Sequence, residues 1–294
     1  MTRSDLRAVV VIATACVLVV VRSAYGVDAP APSRLEYPLS VAVGNDGLLV
    51  ADRLLPGIWR FVEGQGKTLF SGSKRFRTPL NAVRTVAVAD DGRIYAGDSS
   101  TREVYLIGAD GSAKPLSGGR IGIPIDIAVA KNGSLCVSDL ETQRIWRLEP
   151  DGGEPKEVAE LVAPRGLFYD DSDTLWAVAA SGDAPLVRLS ADGAIDPVVR
   201  SRVFEFPHDV VVDAAGTAYV SDNYAKAIWR VKRNADPERW ITGPPLAGPV
   251  GLAIREGRIL VADPRARAVF EVQDDDSLRV VAGSPTDAAP VVER

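Results

Sequence analysis

The sequence predicts an all-β fold, a six-bladed β-propeller of four-stranded antiparallel blades, and three observations support this prediction. A proline-led frame ending in aspartate recurs every 40 to 46 residues. An apolar pair that includes an aromatic residue follows most of these aspartates six residues later. No segment after residue 27 shows a sustained helical period of apolar residues. Six units in one phase are typical of a radial repeat.

The repeat frame is visible when the segments are placed under one another. In one segment Val83 replaces the proline, and in another Ala179 replaces the final aspartate. The six segments are PLSVAVGNDGLLVAD (38–52), VRTVAVADDGRIYAGD (83–98), PIDIAVAKNGSLCVSD (124–139), PRGLFYDDSDTLWAVA (164–179), PHDVVVDAAGTAYVSD (207–222) and PVGLAIREGRILVAD (249–263).

Each unit contains the pieces of four strands. An apolar run, a glycine-containing turn and an alternating run lead to the aspartate, and an aromatic run and a last apolar stretch follow it. Pairs such as Asp110-Gly111 supply the residues that tight hairpins require. A unit of about 41 residues cannot bury both of its faces alone, and radial stacking of copies solves this. The first strand of each unit is continuously apolar, so we expect it innermost.

The N-terminal region differs in composition from the repeats. Arg3 and Arg7 precede the apolar run AVVVIATACVLVVV (8–21), and Ala24-Tyr25-Gly26 resembles a signal-peptidase site. We therefore predict a signal peptide or N-terminal anchor over 1–26, a linker over 27–35, an NHL-type propeller over 36–284 and a C-terminal tail over 285–294. The expected location is secreted or periplasmic, with a membrane-anchored form facing outside the cytoplasm as the alternative.

Charge and cysteine content restrict the partners and the stabilising chemistry. The formal net charge is -5, so no overall positive field attracts phosphate backbones and nucleic acid is not an expected partner. Cleavage of the signal would leave Cys136 as the single cysteine. A lone cysteine forms no internal disulfide, and we expect Cys136 to be a small buried side chain.

The frame Pro-x-x-(apolar)3 … Gly … (apolar)-Val-x-Asp … Ile-Trp-Arg resembles the NHL repeat across residues 36 to 284. More distantly, the chain is similar to the gluconolactonase-like and regucalcin-like propellers. These resemblances imply a six-bladed propeller. They say less about activity, because such folds serve both enzymes and binding modules.

In this frame, the residue after each blade-opening proline is predicted to ring one mouth of the central channel. The next residue in each blade is expected just inside the mouth. From these two rings and the residue two before Pro38, we take as candidate ligand-binding residues Glu36, Arg84, Asp126, Arg165, His208 and Asp209, with Leu39, Ile125 and Val250 as aliphatic neighbours.

A metal site is not favoured at this mouth. In gluconolactonase-like propellers the resemblance implies a divalent cation held by a glutamate, two asparagines and an aspartate. Glu36 matches the glutamate, but Arg84 and Ile125 stand at the asparagine positions and His208 at the aspartate position. A guanidinium and an alkyl group cannot ligate calcium. We therefore expect no cofactor, and a cation such as calcium is disfavoured.

Other catalytic arrangements are disfavoured as well. The peptide-amidating lyases, propellers of similar repeat, place several histidines on zinc, whereas His208 is the only histidine here. A Ser-His-Asp arrangement would need Asp209 to orient His208, and neighbours in a regular strand point to opposite faces. No catalytic residue is therefore assigned, and His208 is expected to hydrogen-bond a loop or touch a ligand.

Two functions remain open from the sequence. The first is an exported binding module whose channel mouth takes a small molecule, glycan or peptide, with a protein partner as a further option at the mouth or blade edges. The alternative is a gluconolactonase-like metal-dependent lactonase or hydrolase. Arg84 and Arg165 either contact a ligand or pair with Asp126, Asp209 or Glu36. The repeated aspartates and tryptophans (Asp52, Asp98, Asp139, Asp222, Asp263, Trp59, Trp146, Trp229) are expected to serve the architecture.

Overall fold

The computed structural model describes residues 35–180 and 182–284, which form six four-stranded antiparallel sheets and no helix. The predicted six-bladed β-propeller is confirmed. No helix long and apolar enough to cross a bilayer occurs in these two ranges. The predicted signal peptide, most of the predicted linker and the predicted tail lie outside the described residues.

In every blade the four strands follow one another in chain order from the channel outward. The strands of blades 1 to 3 are β1 (Pro38–Gly44), β2 (Gly47–Asp52), β3 (Gly57–Val62), β4 (Gln65–Ser71), β5 (Val83–Val88), β6 (Ile94–Asp98), β7 (Glu103–Ile107), β8 (Ala113–Pro115), β9 (Pro124–Val129), β10 (Leu135–Asp139), β11 (Arg144–Leu148) and β12 (Lys156–Glu160).

Blades 4 to 6 repeat the same order, with Ala179 at the position where the other blades have aspartate. Their strands are β13 (Pro164–Tyr169), β14 (Leu175–Ala179), β15 (Leu186–Leu189), β16 (Ile195–Val199), β17 (Pro207–Val212), β18 (Ala218–Asp222), β19 (Ala227–Val231), β20 (Glu238–Thr242), β21 (Gly251–Arg255), β22 (Arg258–Asp263), β23 (Ala268–Val272) and β24 (Leu278–Gly283).

Antiparallel order sorts the loops between the two ends of the wheel. First strands begin at one end, where second strands finish, so loops from strand 2 to strand 3 and from strand 4 to the next blade lie there. We call this end the mouth end. The turns from strand 1 to strand 2 and from strand 3 to strand 4 lie toward the opposite end, and the acidic stretches Asp170–Asp173 and Asp274–Asp276 fall in such turns.

The aspartates that end the second strands hold the mouth-end loops together. Asp52 is fully buried and accepts N–H bonds from Glu36, Tyr37, Leu54 and Leu55, at 2.8 to 3.0 Å for its closest oxygens. Asp98, Asp139, Asp222 and Asp263 are likewise fully buried and accept loop amides. Because each carboxylate joins two loops of its own blade, the expected architectural role is confirmed.

Apolar side chains fill the spaces between adjacent blades. Trp59 and Trp229 are buried there, and Trp146 is partly buried, so these rings belong to the core rather than to exposed sugar platforms. Cys136 is buried, as expected. Within 35–180 and 182–284 no strand is exchanged between blades 1 and 6. Instead, Leu35 is fully buried with Leu260, Ala262, Val269 and other side chains of both blades.

Candidate functional site

One cavity opens at the mouth end of the channel, with an empty volume of about 390 Å³ including its open entrance. All six residues that follow the blade-opening position line it, as the repeat predicts. Five residues of the next ring also line it. The eleven lining residues are Leu39, Ser40, Arg84, Ile125, Asp126, Arg165, Gly166, His208, Asp209, Val250 and Gly251.

An irregularity in the first strands explains how two consecutive residues reach one cavity. The pairing register of β1 with β2 shifts between Pro38 and Ser40. The same shift occurs between Val83 and Thr85 in blade 2 and between Pro207 and Asp209 in blade 5. The skipped residue is a β-bulge, which re-aims its side chain. The bulge relaxes the strict alternation of a regular strand, and His208 and Asp209 both line the cavity.

Side chains of the second ring join four of the six pairs of neighbouring blades by hydrogen bonds. Ser40 Oγ accepts the Val86 N–H at 3.2 Å, and Thr85 Oγ1 donates to Asp126 Oδ1 at 2.7 Å. Asp126 Oδ2 accepts the Leu167 N–H at 2.8 Å. Asp209 Oδ2 accepts the Leu252 N–H at 2.7 Å. These side chains connect first strands, so the carboxylates are already hydrogen-bonded before any ligand arrives.

The environment of the two channel aspartates favours their protonated forms. Burial raises the pKa of Asp126 to about 6, although its bonds from Leu167 and Thr85 oppose the shift. Burial also raises the pKa of Asp209, and the nearby Asp126 carboxylate adds to this. Two close carboxylates between apolar strands resist full ionisation. At neutral pH the Asp126 carboxyl is therefore mostly ionised, while the raised pKa of Asp209 favours its protonated form, so the pair carries less than two full negative charges beside the arginines.

Two arginines face the cavity without an acidic partner. In the ranges 35–180 and 182–284 no carboxylate oxygen lies within 4.0 Å of the guanidinium of Arg84 or Arg165. Arg84 Nε donates to Ser99 Oγ at 3.3 Å, while Arg165 Nε is buried with no hydrogen-bond partner among the described residues. Ion pairing with Asp126, Asp209 or Glu36, one of the two alternatives from the sequence, is not present.

The positive charges at the mouth act on one another. Burial lowers the pKa of Arg84 to about 10, and the charges of Arg53 and Arg165 contribute to the shift. Burial also lowers the pKa of Arg165, opposed by the nearby Tyr224. At neutral pH both groups remain charged. Because their mutual repulsion is relieved by an anion, the mouth is electrostatically suited to a negatively charged ligand.

An aromatic cluster packs against two residues that line the cavity, Arg165 and His208. The guanidinium carbon of Arg165 lies 4.3 Å from the ring centre of Phe206. Phe206 also stacks on Tyr224, with ring centres 4.6 Å apart, and meets His208 edge-on at 5.3 Å. The ring of Phe206 thus fixes the plane of the Arg165 guanidinium by a cation–π contact.

His208 is a neutral group in this cluster. Burial, together with the charges of Arg165 and Arg84, lowers the pKa of His208 to about 3. Asp209, next to it in sequence, directs its oxygens to the amides of Val210 and Leu252. The imidazole therefore offers uncharged hydrogen-bonding nitrogens to the cavity and does not sit in a triad geometry with Asp209.

Glu36 lies apart from the other candidate residues. Its carboxylate is 3.5 Å from Arg267 Nη1, and Glu36 is not among the residues lining the mouth cavity. Of the four positions that would hold a gluconolactonase-like cation, Glu36 lies outside the cavity that the other three, Arg84, Ile125 and His208, line. Within the described residues no group of three or more His, Cys, Asp or Glu side chains is placed to share a metal ion. The residues present do not fit such a cation.

Sequence reasoning missed four residues near the mouth. Arg53 and Tyr37 lie close enough to Arg84 to shift its pKa, and Phe206 and Tyr224 form the aromatic cluster. A signal for them exists in the repeat. Arg53 and Tyr224 follow the blade aspartates in the loop between strands 2 and 3, and this loop returns to the mouth end in any antiparallel blade.

Fold and site together define a six-bladed β-propeller with an electropositive channel mouth. No family model matches the chain. Over 126 residues the chain is 30% identical to the peptidyl-glycine alpha-amidating monooxygenase B of Xenopus laevis. The match covers 38% of this chain and 14% of the monooxygenase, so the chain spans a small part of that relative's length.

Solved structures with the same fold are more distant in sequence. A gluconolactonase from Xanthomonas campestris has a TM-score of 0.68 at 18% identity, covering 84% of this chain and 87% of that one. A propeller in a nidogen/laminin complex has a TM-score of 0.65 at 16% identity, covering 83% of this chain and 96% of that one. A virginiamycin B lyase from Staphylococcus aureus has a TM-score of 0.61 at 15% identity, covering 86% of this chain and 85% of that one. At these identities the likeness shows the fold alone.

Proposed function

We propose that this propeller is a binding module whose channel mouth takes up a compact anionic ligand bearing a carboxylate or phosphate group. One observation supports this most strongly: Arg84 and Arg165 face one cavity with no carboxylate in reach among the described residues. Arginine prefers oxyanions that it can contact with two N–H groups.

The neighbouring groups support the same choice of ligand. Phe206 holds the Arg165 guanidinium in place, so less side-chain freedom is lost on binding. His208 stays neutral and adds no competing charge. The aliphatic side chains of Leu39, Ile125 and Val250 give the rest of the wall an apolar character, which suits a small organic acid.

Thermal unfolding in the presence of inorganic phosphate, citrate or benzoate tests the proposal. A ligand at a hundred times its dissociation constant stabilises the native state by about 2.7 kcal/mol. We expect at least one of these anions to raise the Tm. Arg84→Gln or Arg165→Gln should weaken its affinity about tenfold or more, because each removes charge-assisted donors. Arg93→Gln, at the opposite end, is the matched control.

Two results would replace the proposal. If none of the three anions shifts the Tm, or if the shift persists in both mouth variants, the arginines do not form an anion site. Hydrolysis of glucono-lactone that depends on added calcium would instead identify a lactonase and overturn the binding module.

We also propose that the module acts outside the cytoplasm. The support is the sequence of residues 1–26, in which two arginines precede a 14-residue apolar run and a small-residue cleavage pattern. N-terminal sequencing of the protein made in an export-competent host should begin directly after Gly26, and an intact leader in the exported fraction would favour the anchor.

A further inference from the structure

Charge is divided unequally between the two ends of the propeller. The loops from strand 2 to strand 3 carry five basic residues, which are Arg53, Arg102, Lys226, Arg265 and Arg267. The mouth-end loops that join one blade to the next carry six more, which are Lys74, Arg75, Arg77, Arg120, Arg200 and Arg202. The acidic residues of all these loops are Glu36, Glu141, Asp183 and Glu205.

The turns toward the opposite end have the reverse composition. Those from strand 1 to strand 2 and from strand 3 to strand 4 contain eighteen acidic and four basic residues. Asp90-Asp91, Asp170–Asp173 and Asp274–Asp276 supply the densest acidic groups. The mouth-end loops thus carry an excess of seven positive charges, and the opposite turns carry an excess of fourteen negative charges. A partner that meets only the mouth end experiences a positive field.

Few of the mouth-end basic groups are neutralised by nearby acids. Glu36, Glu141 and Glu205 pair with Arg267, Arg102 and Arg239, and Arg120 pairs with Glu154 at the rim. Lys74, Arg75 and Arg77 are exposed and have no carboxylate within 4.0 Å in the part of the chain that the structure describes. Together with Phe76 we call residues 74–77 the basic loop.

The basic loop also presents apolar surface. Phe76 is 71% exposed, and the Arg77 guanidinium carbon lies 5.4 Å from its ring centre. Three other exposed apolar or aromatic side chains lie in mouth-end loops, namely Leu54, Val162 and Tyr224. Single exposed apolar residues are ordinary. Here, however, four of them share one end of the wheel with the unpaired basic groups.

We propose that the mouth end of the propeller docks on an anionic phospholipid bilayer, with the basic loop contacting headgroups and Phe76 entering the interface. Each lysine or arginine close to an anionic leaflet favours binding, and aromatic rings prefer the headgroup region. A soluble polyanion would use the basic groups, but it gives no role to exposed Leu54, Val162 and Phe76. The combination of charge and apolar tips favours a bilayer.

The position of the N-terminal end of the described chain agrees with this orientation. Leu35 precedes β1 and therefore lies at the mouth end. Residues 22–34 separate it from the apolar run 8–21. Thirteen residues reach at most about 45 Å when fully extended. A leader retained in a bilayer would thus hold the mouth end on the membrane side, within reach of the headgroups.

An environment-sensitive fluorophore tests the contact in the full chain. Phe76→Cys in a Cys16→Ala background accepts a nitrobenzoxadiazole label, while buried Cys136 stays unlabelled. We expect a blue shift and at least a twofold gain in emission on adding phosphatidylglycerol vesicles, and little change with phosphatidylcholine vesicles. Val62→Cys, an exposed apolar position beside an opposite-end turn, is the matched label site and should not respond.

Charge variants separate the basic loop from any insertion of the N-terminal run. Lys74→Gln, Arg75→Gln and Arg77→Gln together should lower partitioning to phosphatidylglycerol vesicles about tenfold or more. Lys131→Gln, Lys232→Gln and Arg233→Gln make the same charge change at the opposite end and should leave partitioning within about twofold. An equal loss in both triple variants, or a label response at both sites, contradicts the proposal.

Competition with soluble polyanions decides whether the mouth end binds a bilayer or a soluble anionic polymer. A single-stranded oligonucleotide or polyglutamate that binds more tightly than the vesicles at equal ionic strength, with the same basic-loop dependence, would replace the bilayer by that polymer. The docking does not rest on the compact-anion site. Loop variants should keep anion-induced Tm shifts, and Arg84→Gln should keep vesicle binding, so failure of one proposal is visible apart from failure of the other.

Discussion

At the scale of single residues, the mouth is formed by one position repeated in every blade. His208 occupies that position in blade 5, where Arg84, Arg165 and three aliphatic residues stand in the others. Its uniqueness in composition therefore does not make it a catalytic group. The pKa of His208 falls to about 3 because it is buried beside two arginines, so the imidazole is neutral wherever the protein is folded at ordinary pH.

Stability of the wild-type protein and His208→Gln should depend differently on pH. Between about pH 6.5 and pH 3 the unfolded chain protonates His208 and the folded chain does not, so the wild-type protein loses stability from this group as pH falls. The variant lacks this loss. Between pH 7 and pH 4.5 the free energy of unfolding of the variant should therefore rise by about 2 kcal/mol relative to that of the wild type.

Urea unfolding of both proteins at the two pH values measures this difference. Asp126 and Asp209 titrate in the same region with raised pKa values, but they are present in both proteins and their effect cancels to first order. Parallel pH profiles would show that the folded-state pKa of His208 is not depressed.

At the scale of strands, the first strands of blades 1, 2, 3 and 5 combine pairing, a bulge and a bridge to the next blade. Asp126 and Asp209 span from blade 3 to blade 4 and from blade 5 to blade 6. Gly166 and Gly251 occupy the same position in blades 4 and 6. A Cβ at Gly166 would lie 2.3 Å from Asp209 Oδ1 and 2.5 Å from Asp209 Cα. Glycine is needed there because the next strand approaches closely.

Gly166→Ala should therefore destabilise the propeller. The added methyl group meets backbone atoms that cannot move without displacing β17, and such overpacking costs about 1–3 kcal/mol. Chemical denaturation provides the measurement. Gly182→Ala is the control, since its nearest contact for a new Cβ is Arg202 Cδ at 3.9 Å. Equal stabilities of the two variants would show that the strands at Gly166 are not tightly apposed.

At the scale of the whole molecule, the ring closes by side-chain packing. In the described part of the chain every sheet uses four consecutive strands, and blades 1 and 6 share none of them. The apolar residues of β1, β22 and β23 meet around Leu35, which is fully buried. The same closed ring places the basic residues of the mouth-end loops at one end and the acidic turns toward the other. The molecule therefore has a separation of charge that its net charge does not show.

Leu35→Ala should weaken this closure. Removing a fully buried leucine costs about 2–5 kcal/mol, and the loss should fall on the contact between blades 1 and 6. Hydrogen exchange should show faster opening in β1 and β22 than in β11 of blade 3. Leu54→Ala, whose side chain is 53% exposed, is the comparison and should change little. Uniform acceleration in all blades would indicate that closure is not the weak point.

The sequence by itself determined the strands, the blade number and the ring of mouth positions, because each depends on a local pattern repeated six times. Turn glycines, alternating apolar residues and the strand-ending aspartates are read within one unit. The candidate residues Arg84, Asp126, Arg165, His208 and Asp209 follow from phase alone, and all five line the cavity.

Only the tertiary structure decided what those side chains contact. Contacts between consecutive blades join residues about 40 positions apart, contacts between blades 1 and 6 join the two ends of the repeat array, and no single unit encodes either pairing. Asp126 reaches Leu167, Arg165 stacks on Phe206, and Glu36 turns away to Arg267. The bulge that brings His208 and Asp209 into one cavity, and the separation of charge between the two ends, likewise arise when antiparallel blades assemble around an axis.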